Sequence, residues 1–511
     1  MPTLARPTIA TIGNFFIHTS LTEINSIDKY DIIDYNLDIM SELQVAKFGG
    51  TSMAQPEVVA SVAAEHPEQR IIIVSAPGKS PDFDFKMTDV LYYYGSQVLG
   101  TDPVLVLKDQ DVLSKLEERY ATSSGNQKNK DIMMDVMDRF DTIYSSLGRS
   151  VCDRLRVATY QQLEPNKHQD IAYYASLGES VSARYFAELS GGYLATANLI
   201  RFQDGRLDRS QTRQAVRQAA ASNLFRPNQP TIYPGFLGHD QNGQVRLLGR
   251  GGSDRTQALF MDGLEWDGTN WTDVDGVFSA DPRVIKSAQV LTELTREEVR
   301  EGAHGGSGVL HGDTILDLQN SQAAITVRNT FNTSQPGTNI VANPGLLRLR
   351  QVDSERPVVA LSGRNLKELS VKDLGMADQS GYIANLLHRT AELGISIEHL
   401  PASQDAATFT FQDDVSKDAL AAFKRSVEFH AVSDQPDIQI QEKGVVYVVG
   451  EALRTAKAVT GVLGRIGVLL ANNDLAFDAV VSHPQSPSLA LLVDRQDVLP
   501  ILSSLHAEFI E

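Results

Sequence analysis

The stretch Leu43-Gln44-Val45-Ala46-Lys47-Phe48-Gly49-Gly50-Thr51-Ser52 joins a short apolar strand to a glycine turn. The run Arg70-Ile71-Ile72-Ile73-Val74-Ser75-Ala76 is β-branched without interruption, which is typical of a strand buried on both faces of a parallel sheet. Helices are predicted at Met133–Leu147 and Ile171–Leu189, and further strands at Pro230–Leu237 and Ala324–Arg328. This alternation across residues 43–342 predicts an α/β domain with a mainly parallel sheet sandwiched by helices.

The overall composition is that of an acidic globular protein. The chain has 511 residues, which suggests two or three domains, and its 46 Lys plus Arg against 64 Asp plus Glu give a formal net charge of -18. This charge argues against a nucleic-acid partner, because phosphate backbones would be repelled over most of the surface. A single cysteine, Cys152, excludes an internal disulfide and is typical of a reducing compartment.

No apolar run approaches the ~20 residues needed to span a bilayer, so we expect no membrane partner and a cytoplasmic protein. Residues 1–42 lack a basic start followed by an apolar stretch and a small-residue cleavage site, which argues against a signal peptide. They are expected to form an extension that is either disordered or a short ordered arm, and Met40 is an alternative start.

The pattern of the chain changes after Ile340, where Asn343-Pro344-Gly345 interrupts it. Two stretches then repeat the order helix, strand, polar turn, strand at similar spacing. In the first the helix is Gly381–Leu393 and the last strand Ala407–Phe411, and in the second they are Ala456–Leu470 and Ser488–Asp494. The repeat predicts two α+β modules of βαββαβ type at residues 357–440 and 441–511, and the alternative is one irregular α+β domain.

The glycine turn after the first strand has the composition of a phosphate site. Gly49 and Gly50 let backbone N–H groups turn inward, and Thr51 and Ser52 add hydroxyl donors at a predicted helix start. Lys47 supplies a point charge for the anion that grows during phosphoryl transfer. The lysine precedes the glycines, so this is not the common P-loop, and the alternative is a tight strand–helix connection.

The second cluster is Arg250-Gly251-Gly252-Ser253-Asp254. Arginine is the side chain best shaped to bind a carboxylate through two parallel hydrogen bonds, and the glycines allow a ligand to approach closely. Asp254 is a candidate for orienting the reacting groups, and Ser253 for capping a helix predicted to begin at Thr256. The alternatives are a simple helix cap and a hairpin turn.

The third cluster runs from Trp271 to Arg283 as Trp-Thr-Asp-Val-Asp-Gly-Val-Phe-Ser-Ala-Asp-Pro-Arg. Its acids, turn residues and terminal arginine predict a strand-end loop beside a nucleotide. A calcium loop is excluded because no glutamate stands at the twelfth position.

In this order, the three motifs resemble the aspartokinase family, and the resemblance covers residues 44–511. It implies a catalytic domain of the amino-acid kinase fold and two ACT domains that bind feedback amino acids and form dimers. It further implies ATP with Mg²⁺ and L-aspartate as reactants, 4-phospho-L-aspartate as product, lysine and/or threonine as effector, and a homodimer or homotetramer. In this family one ACT module is inserted within the other, so the strand at 357–362 is expected to join residues 441–511.

The resemblance also implies roles for individual residues, with no protein metal ligand among them. The catalytic residues are Lys47 and Asp254. The phosphate and nucleotide residues are Gly49, Gly50, Thr51, Ser52, Ser75, Thr272, Asp273, Val274, Phe278 and Arg283. The substrate residues are Thr88, Glu179, Phe236, Arg250 and Ser253. The effector residues are Gly381, Tyr382, Ile383, Ser396, Glu398 and Ser403.

These roles are chemically consistent. Arg250 suits the α-carboxylate of aspartate and Glu179 its ammonium, and the attacking carboxylate needs no general base because its pKa is about 3.9. Three positions depart from the family pattern: Ser180 replaces an arginine, Asp275 stands where the family varies, and Gly308 replaces a lysine that contacts the nucleotide. Gly308 motivates a second hypothesis, a catalytically weak amino-acid sensor. A third is another acyl kinase of the same fold, acting on glutamate or N-acetylglutamate.

Overall fold

The computed structural model describes residues 43–81, 83–107, 109–163, 170–226, 228–304, 310–342 and 357–511. The predictions made for residues 1–42, for Asn343-Pro344-Gly345 and for Gly308 therefore lie outside the described residues. None of the helices in the described ranges is long and apolar enough to cross a membrane.

The amino-terminal part alternates strands and helices. Its strands are β1 (Gln44–Phe48), β2 (Gln69–Val74), β3 (Tyr193–Leu194), β4 (Arg201–Gln203), β5 (Arg206–Leu207), β6 (Thr231–Pro234), β7 (Leu237–Asp240), β8 (Val245–Leu247), β9 (Gly268–Thr272), β10 (Glu293–Thr295), β11 (Ile325–Asn329) and β12 (Thr338–Val341). Its helices are α1 (Gly50–Met53), α2 (Pro56–Glu65), α3 (Met87–Leu99), α4 (Gln110–Arg119), α5 (Gly125–Ile143), α6 (Arg149–Leu163), α7 (Ile171–Ser190), α8 (Arg209–Ala221), α9 (Gly252–Leu264), α10 (Arg296–His304) and α11 (Gly312–Asp317).

Eight of the described strands form one sheet in the order β10-β12-β11-β9-β1-β2-β6-β3, and every neighbouring pair except β11–β12 is parallel. Strand β2 is buried on both faces, as its β-branched sequence predicts. Ile72 and Val74 pack into one apolar cluster, and Ile71 and Ile73 into a second cluster on the opposite face. The prediction of a mainly parallel sheet sandwiched by helices is therefore confirmed.

The order of the strands gathers three loops at one edge of this sheet. Strand β1 is flanked by β2 and β9, and Phe48 is in register with both Val74 and Trp271. Because carboxyl ends of parallel strands meet at the same edge, the chain leaves all three strands side by side.

Three predicted boundaries are wrong. The strand predicted at Pro230–Leu237 is split, because the chain turns at Gly235-Phe236 and β7 joins a separate four-stranded sheet, β5-β4-β7-β8. The helix predicted from Met133 begins at Gly125 and ends at Ile143, before a short 3-10 turn. The helix predicted from Thr256 begins at Gly252, so Ser253 lies inside its first turn and does not cap it.

The carboxy-terminal part is built on one antiparallel sheet. Its strands are β13 (Ala360–Lys372), β14 (Ala406–Gln412), β15 (Asp437–Val449), β16 (Ala479–Ser482) and β17 (Ser488–Asp494), and its helices are α12 (Tyr382–Glu392), α13 (Lys417–His430), α14 (Ala456–Asn472) and α15 (Val498–Phe509). The described strands lie in the order β14-β13-β15-β17-β16.

Two modules share this sheet because β13 and β15 are long and pair along their whole length. The first module follows the order β13, α12, a bridge at Ile397, β14, α13, β15. The second consists of β15, α14, β16, β17 and α15, and the start of β13 adds a further strand. The side chains of Val358 and Leu361 lie in the core of the second module, together with Ile466 and Leu505. The two predicted units are present, joined in one continuous sheet.

Candidate active site

The turn after β1 packs directly against the loop after β2. The Gly49 N–H donates to the Trp271 carbonyl at 3.0 Å, and the Gly78 N–H donates to the Gly50 carbonyl at 2.7 Å. A Cβ atom at Gly50 would lie 3.0 Å from the Ala76 oxygen, and one at Gly78 would lie 2.8 Å from the Gly50 carbonyl carbon. A side chain at Gly78 would push the two loops apart, and one at Gly50 would need its neighbours to shift by a few tenths of an ångström.

Lys47 lies at the carboxyl end of β1 and is only 8% exposed. Its Nζ is 2.5 Å from Oδ1 of Asp254, in the first turn of α9, and donates to Oδ1 of Asn270 at 3.3 Å. Asn270 Nδ2 donates in turn to Asp254 Oδ1 at 2.9 Å. Side chains from two other elements, α9 and β9, therefore hold this ammonium group at the edge of the sheet.

Asn270 was not predicted from the sequence. It pairs in register with Lys47 on the neighbouring parallel strand, so the two side chains emerge on the same face. The signal available in the sequence is an asparagine inside the strand Gly-Thr-Asn-Trp-Thr. Because burying an unpaired amide costs free energy, an asparagine at such a position indicates a polar partner. Recognising its partner requires knowing that β9 lies beside β1.

The hydroxyl groups of the turn have different environments. Thr51 is exposed, whereas Ser52 is fully buried and its Oγ lies 2.7 Å from Oγ1 of Thr330. The Ser52 hydroxyl therefore joins α1 to the chain after β11, and its role as a hydroxyl donor to phosphate stays a prediction. Ser75 follows β2 at the same sheet edge, and its N–H donates to the Phe48 carbonyl at 3.3 Å.

Glu179 is a buried carboxyl group on α7, beside the loop after β2. It is 5% exposed, and its Oε2 has no hydrogen-bond partner among the described residues. Burial raises the pKa of Glu179 to about 8, although hydrogen bonds from backbone N–H groups, including that of Ala76, favour the charged form. A buried carboxyl with one oxygen unpartnered is suited to accept a cationic ligand group.

The turn between β6 and β7 docks onto the start of α9. Phe236 has a φ of 75°, which is strained for an aromatic residue, and its N–H donates to Thr256 Oγ1 at 3.1 Å. A Cβ at Gly252 would lie 2.4 Å from Cδ2 of Phe236, and one at Gly235 would lie 2.6 Å from Oγ of Ser253. These contacts place Phe236 and Ser253 together, next to the helix turn that carries Asp254.

Arg250 and Thr88 are the remaining predicted substrate residues. Arg250 is exposed, lies between two glycines of left-handed backbone, Gly249 and Gly251, and forms no ion pair with any side chain in the described ranges. Its guanidinium is therefore available for an external carboxylate. Thr88 is the second residue of α3 and is half-buried, and the Met87 N–H before it donates to the Pro77 carbonyl at 3.0 Å.

The predicted nucleotide stretch divides into two parts. Thr272 ends β9, and its hydroxyl donates to Oδ1 of the exposed Asp273 at 3.2 Å, so these two residues and Val274 begin the loop at the gathered edge. Phe278 forms an isolated antiparallel β-bridge with Val290. After it the segment packs against the second module, and the side chains of Ala280 and Ile285 lie in the core of that module.

Arg283 belongs to this outer part. Its side chain is 84% exposed, and its guanidinium pairs with Asp281, 2.7 Å away, across a tight Asp-Pro-Arg turn. The structure does not bring Arg283 into contact with Lys47 or the glycine turn.

The predicted effector residues cluster in the first module. Gly381, with a φ of 85°, is the N-cap of α12; Tyr382 lies in the module core and Ile383 packs against it. Ser396 and Ser403 are exposed.

Glu398 already has a cationic partner, since its Oε2 lies 2.7 Å from the Arg364 guanidinium. Arg364 is on the half of β13 that pairs with the second module. The carboxylate expected to hold an effector ammonium is therefore neutralised by a residue at the junction between the modules.

A lysine beside a glycine turn, an available arginine and a buried unpartnered carboxyl together suit transfer of a phosphoryl group to an amino acid. A model of the amino acid kinase family matches residues 42–329, and the chain belongs to that family. Relatives that it matches over nearly their whole length include aspartokinases. Aspartokinase 3 of Bacillus subtilis is 26% identical over 483 residues, which cover 91% of this chain and 98% of that protein.

Solved structures give the same result for the fold. The aspartate kinase of Clostridium acetobutylicum has a TM-score of 0.71 at 21% identity, covering 91% of this chain and 99% of that chain. Escherichia coli aspartokinase III covers 92% of this chain and 100% of its own, with a TM-score of 0.67 and 21% identity for the R-state with aspartate and ADP. Its T-state with lysine and aspartate has a TM-score of 0.64 and 22% identity. The predicted amino-acid kinase fold followed by two ACT modules is confirmed.

Proposed function

We propose that this protein is an aspartate kinase that converts ATP and L-aspartate into ADP and 4-phospho-L-aspartate. The observation that carries the proposal is Glu179, a buried carboxyl group with an unpartnered oxygen that contacts the same loop as the glycine turn. An amino-acid ammonium supplies the missing partner, and a phosphate on the turn would then lie beside the bound amino acid. The aspartokinases that match 91% and 92% of the chain support aspartate as that amino acid.

In this site Glu179 binds the ammonium of aspartate and Arg250 its α-carboxylate. Fixing both leaves the side-chain carboxylate as the group free to react. It is ionised at neutral pH, since its free pKa is about 3.9, so no residue has to remove a proton from it. Its oxygen forms a bond to the γ-phosphorus of ATP as the bond from that phosphorus to the bridging oxygen breaks, and ADP leaves.

Lys47 neutralises the charge that spreads over the transferring phosphoryl group. Asp254 and Asn270 hold its ammonium in place before ATP arrives, so little reorganisation is needed during the reaction. The N–H groups of Gly50 and Thr51 are the phosphate donors that we assign, and Gly49, whose N–H donates to the Trp271 carbonyl, shapes the turn. Magnesium bound with ATP would supply further positive charge to the phosphates, and we assign it no protein ligand.

We assign feedback control by lysine and/or threonine to the first ACT module, at Gly381, Ser396, Glu398 and Ser403. An effector ammonium would have to share Glu398 with Arg364, which links effector binding to the junction between the modules. Association into a homodimer or homotetramer belongs to the same proposal and is measured by light scattering with and without each amino acid.

The test is an ADP-release assay with ATP, Mg²⁺ and a panel of L-aspartate, L-glutamate and N-acetyl-L-glutamate. Turnover with aspartate that is lost in Lys47→Met, but kept in a matched Lys115→Met variant of an exposed lysine, is the expected result. Turnover with glutamate alone would favour another acyl kinase. Lysine binding without ATP binding would favour an amino-acid sensor. Addition of lysine, threonine or both to the same assay identifies the effector.

A further inference from the structure

Arg139, on helix α5, is a buried cation that neither the sequence motifs nor the proposed reaction accounts for. It is 4% exposed, and its guanidinium donates to the Gly78 carbonyl at 2.5 Å. The guanidinium carbon lies 4.5 Å from the centroid of the Phe83 ring. Among the described residues it forms no ion pair, and its Nε has no hydrogen-bond partner.

Such a residue is costly to bury. A charged group removed from water without a directly paired counter-charge lowers stability, and an apolar side chain of similar length would avoid that loss. Desolvation lowers the pKa of Arg139 to about 10, although the more distant charges of Asp135 and Asp89 favour its charged form. The arginine is therefore poorly explained as a contribution to folding, and its contacts with Gly78 and Phe83 are the better explanation.

Gly78 is the point where the loop after β2 meets the phosphate turn. Its N–H donates to the Gly50 carbonyl at 2.7 Å, with no room for a side chain between the two residues. The Gly50 carbonyl also accepts the Ala54 N–H, at 3.1 Å, which closes α1. A displacement of Gly78 therefore moves the first turn of α1 and the N–H groups at its start.

We propose that Arg139 is a positioning residue for nucleotide binding, which holds Gly78 against Gly50 so that the N–H groups of the turn are directed correctly for phosphate. The guanidinium fixes the Gly78 carbonyl from one side, and the Phe83 ring fixes the plane of the guanidinium. The inference rests on the proposed phosphotransfer function. It adds a residue that contacts neither ATP nor aspartate but sets the geometry of the N–H groups that bind the nucleotide phosphate.

The test measures ADP binding to the full chain by calorimetry, together with the KM for aspartate and the melting temperature. Arg139→Met should weaken ADP binding at least tenfold, change the KM for aspartate less than threefold, and leave the melting temperature unchanged or higher. Arg139→Lys keeps the charge and one donor, so it should bind ADP within about threefold of the unmodified protein. Phe83→Leu, which keeps the arginine, should weaken ADP binding by about threefold.

Arg296 provides a matched control because it is 5% exposed, donates to backbone carbonyls at Leu318 and Ser321, and also has an unpartnered Nε. Arg296→Met leaves three backbone carbonyls without this donor, whereas Arg139→Met leaves one, so Arg296→Met should lower the melting temperature and leave ADP affinity unchanged. The inference is overturned if folded Arg139→Met and Phe83→Leu bind ADP like the unmodified protein, or if Arg296→Met weakens ADP binding equally. If the unmodified protein binds ADP and turns over aspartate, such a result refutes only the role of Arg139. If the unmodified protein does neither, the proposed function is refuted as well.

Discussion

The ionisation of Glu179 should control how strongly the protein binds aspartate as the pH changes. Only the charged carboxylate attracts an ammonium, and burial raises the pKa of this group to about 8 in the free protein. Below that pH Glu179 must first ionise before it can bind the ammonium, and this ionisation weakens binding by about 1.4 kcal/mol for each pH unit below the pKa. The KM for aspartate should therefore fall about tenfold from pH 6 to pH 7 and about fivefold from pH 7 to pH 8.

The assay is ADP release at saturating ATP from pH 6 to pH 8.5, with the KM for ATP as the internal control. Glu179→Gln cannot ionise, so its KM for aspartate should be nearly independent of pH and about 10- to 100-fold higher at pH 8, where a hydrogen bond between charged groups is lost. Glu179→Asp should keep part of the pH dependence. A flat profile in the unmodified protein, or the same slope in Glu179→Gln, would refute the reasoning.

The raised pKa of Glu179 also affects the stability of the fold. Aspartate binding should strengthen as the pH rises, whereas the folded state should become less stable. A carboxyl group whose pKa rises on folding destabilises the native state as the pH increases from its unfolded value, 4.5, towards about 8. Glu179→Gln removes this loss, so its advantage in melting temperature should grow from pH 5 to pH 8. Expressed as a free energy of unfolding, this advantage should change by a few kcal/mol at most, on the order given by the shift in pKa. An equal shift at both pH values would show that Glu179 is ionised throughout.

Three further substitutions test the contacts of the site. Asn270→Ala should lower kcat about 10- to 100-fold in the ADP-release assay, because Lys47 loses an oriented neighbour. Gly78→Ala should cost about 1–3 kcal/mol in urea unfolding because its Cβ collides with Gly50, whereas Gly461→Ala, in an open helical position, should gain about 0.5–1 kcal/mol. Ser52→Ala should cost about 1–3 kcal/mol, since it leaves the buried Thr330 hydroxyl unpartnered, and should change the KM for ATP less than threefold.

Each of these has an outcome that contradicts it. Full activity of Asn270→Ala would mean that Asp254 alone orients Lys47. Equal stability of Gly78→Ala and Gly461→Ala would show that the two glycine loops separate without cost. A tenfold rise in the KM for ATP of Ser52→Ala, without loss of stability, would show that the hydroxyl acts in the phosphate site.

The sequence predicts most strongly those elements whose local pattern and tertiary environment agree. Strand β2 is apolar on both sides because both faces of the sheet are covered, and α7 matches its predicted span to one residue. At Phe236 the local pattern and the tertiary environment differ. Its left-handed backbone fits only because Gly252 has no Cβ, and Gly252 approaches Phe236 only in the folded chain.

Predicting the site had the same limit. Lys47, Asp254 and the glycines stand in motifs that carry their chemistry in adjacent residues. Asn270 and Arg139 act across the fold, so no local spacing identifies them. The partner of Ser52 is equally hidden from local spacing, since its hydroxyl pairs with that of Thr330, 278 positions away in the chain.

The most direct test of the central claim is to trap the acyl phosphate. Protein incubated with ATP, Mg²⁺ and L-aspartate in the presence of hydroxylamine should form aspartyl hydroxamate in step with ADP release, and Lys47→Met should form almost none. Release of ADP without hydroxamate, or equal hydroxamate formation by Lys47→Met, would contradict transfer of phosphate to the aspartate carboxylate at this site.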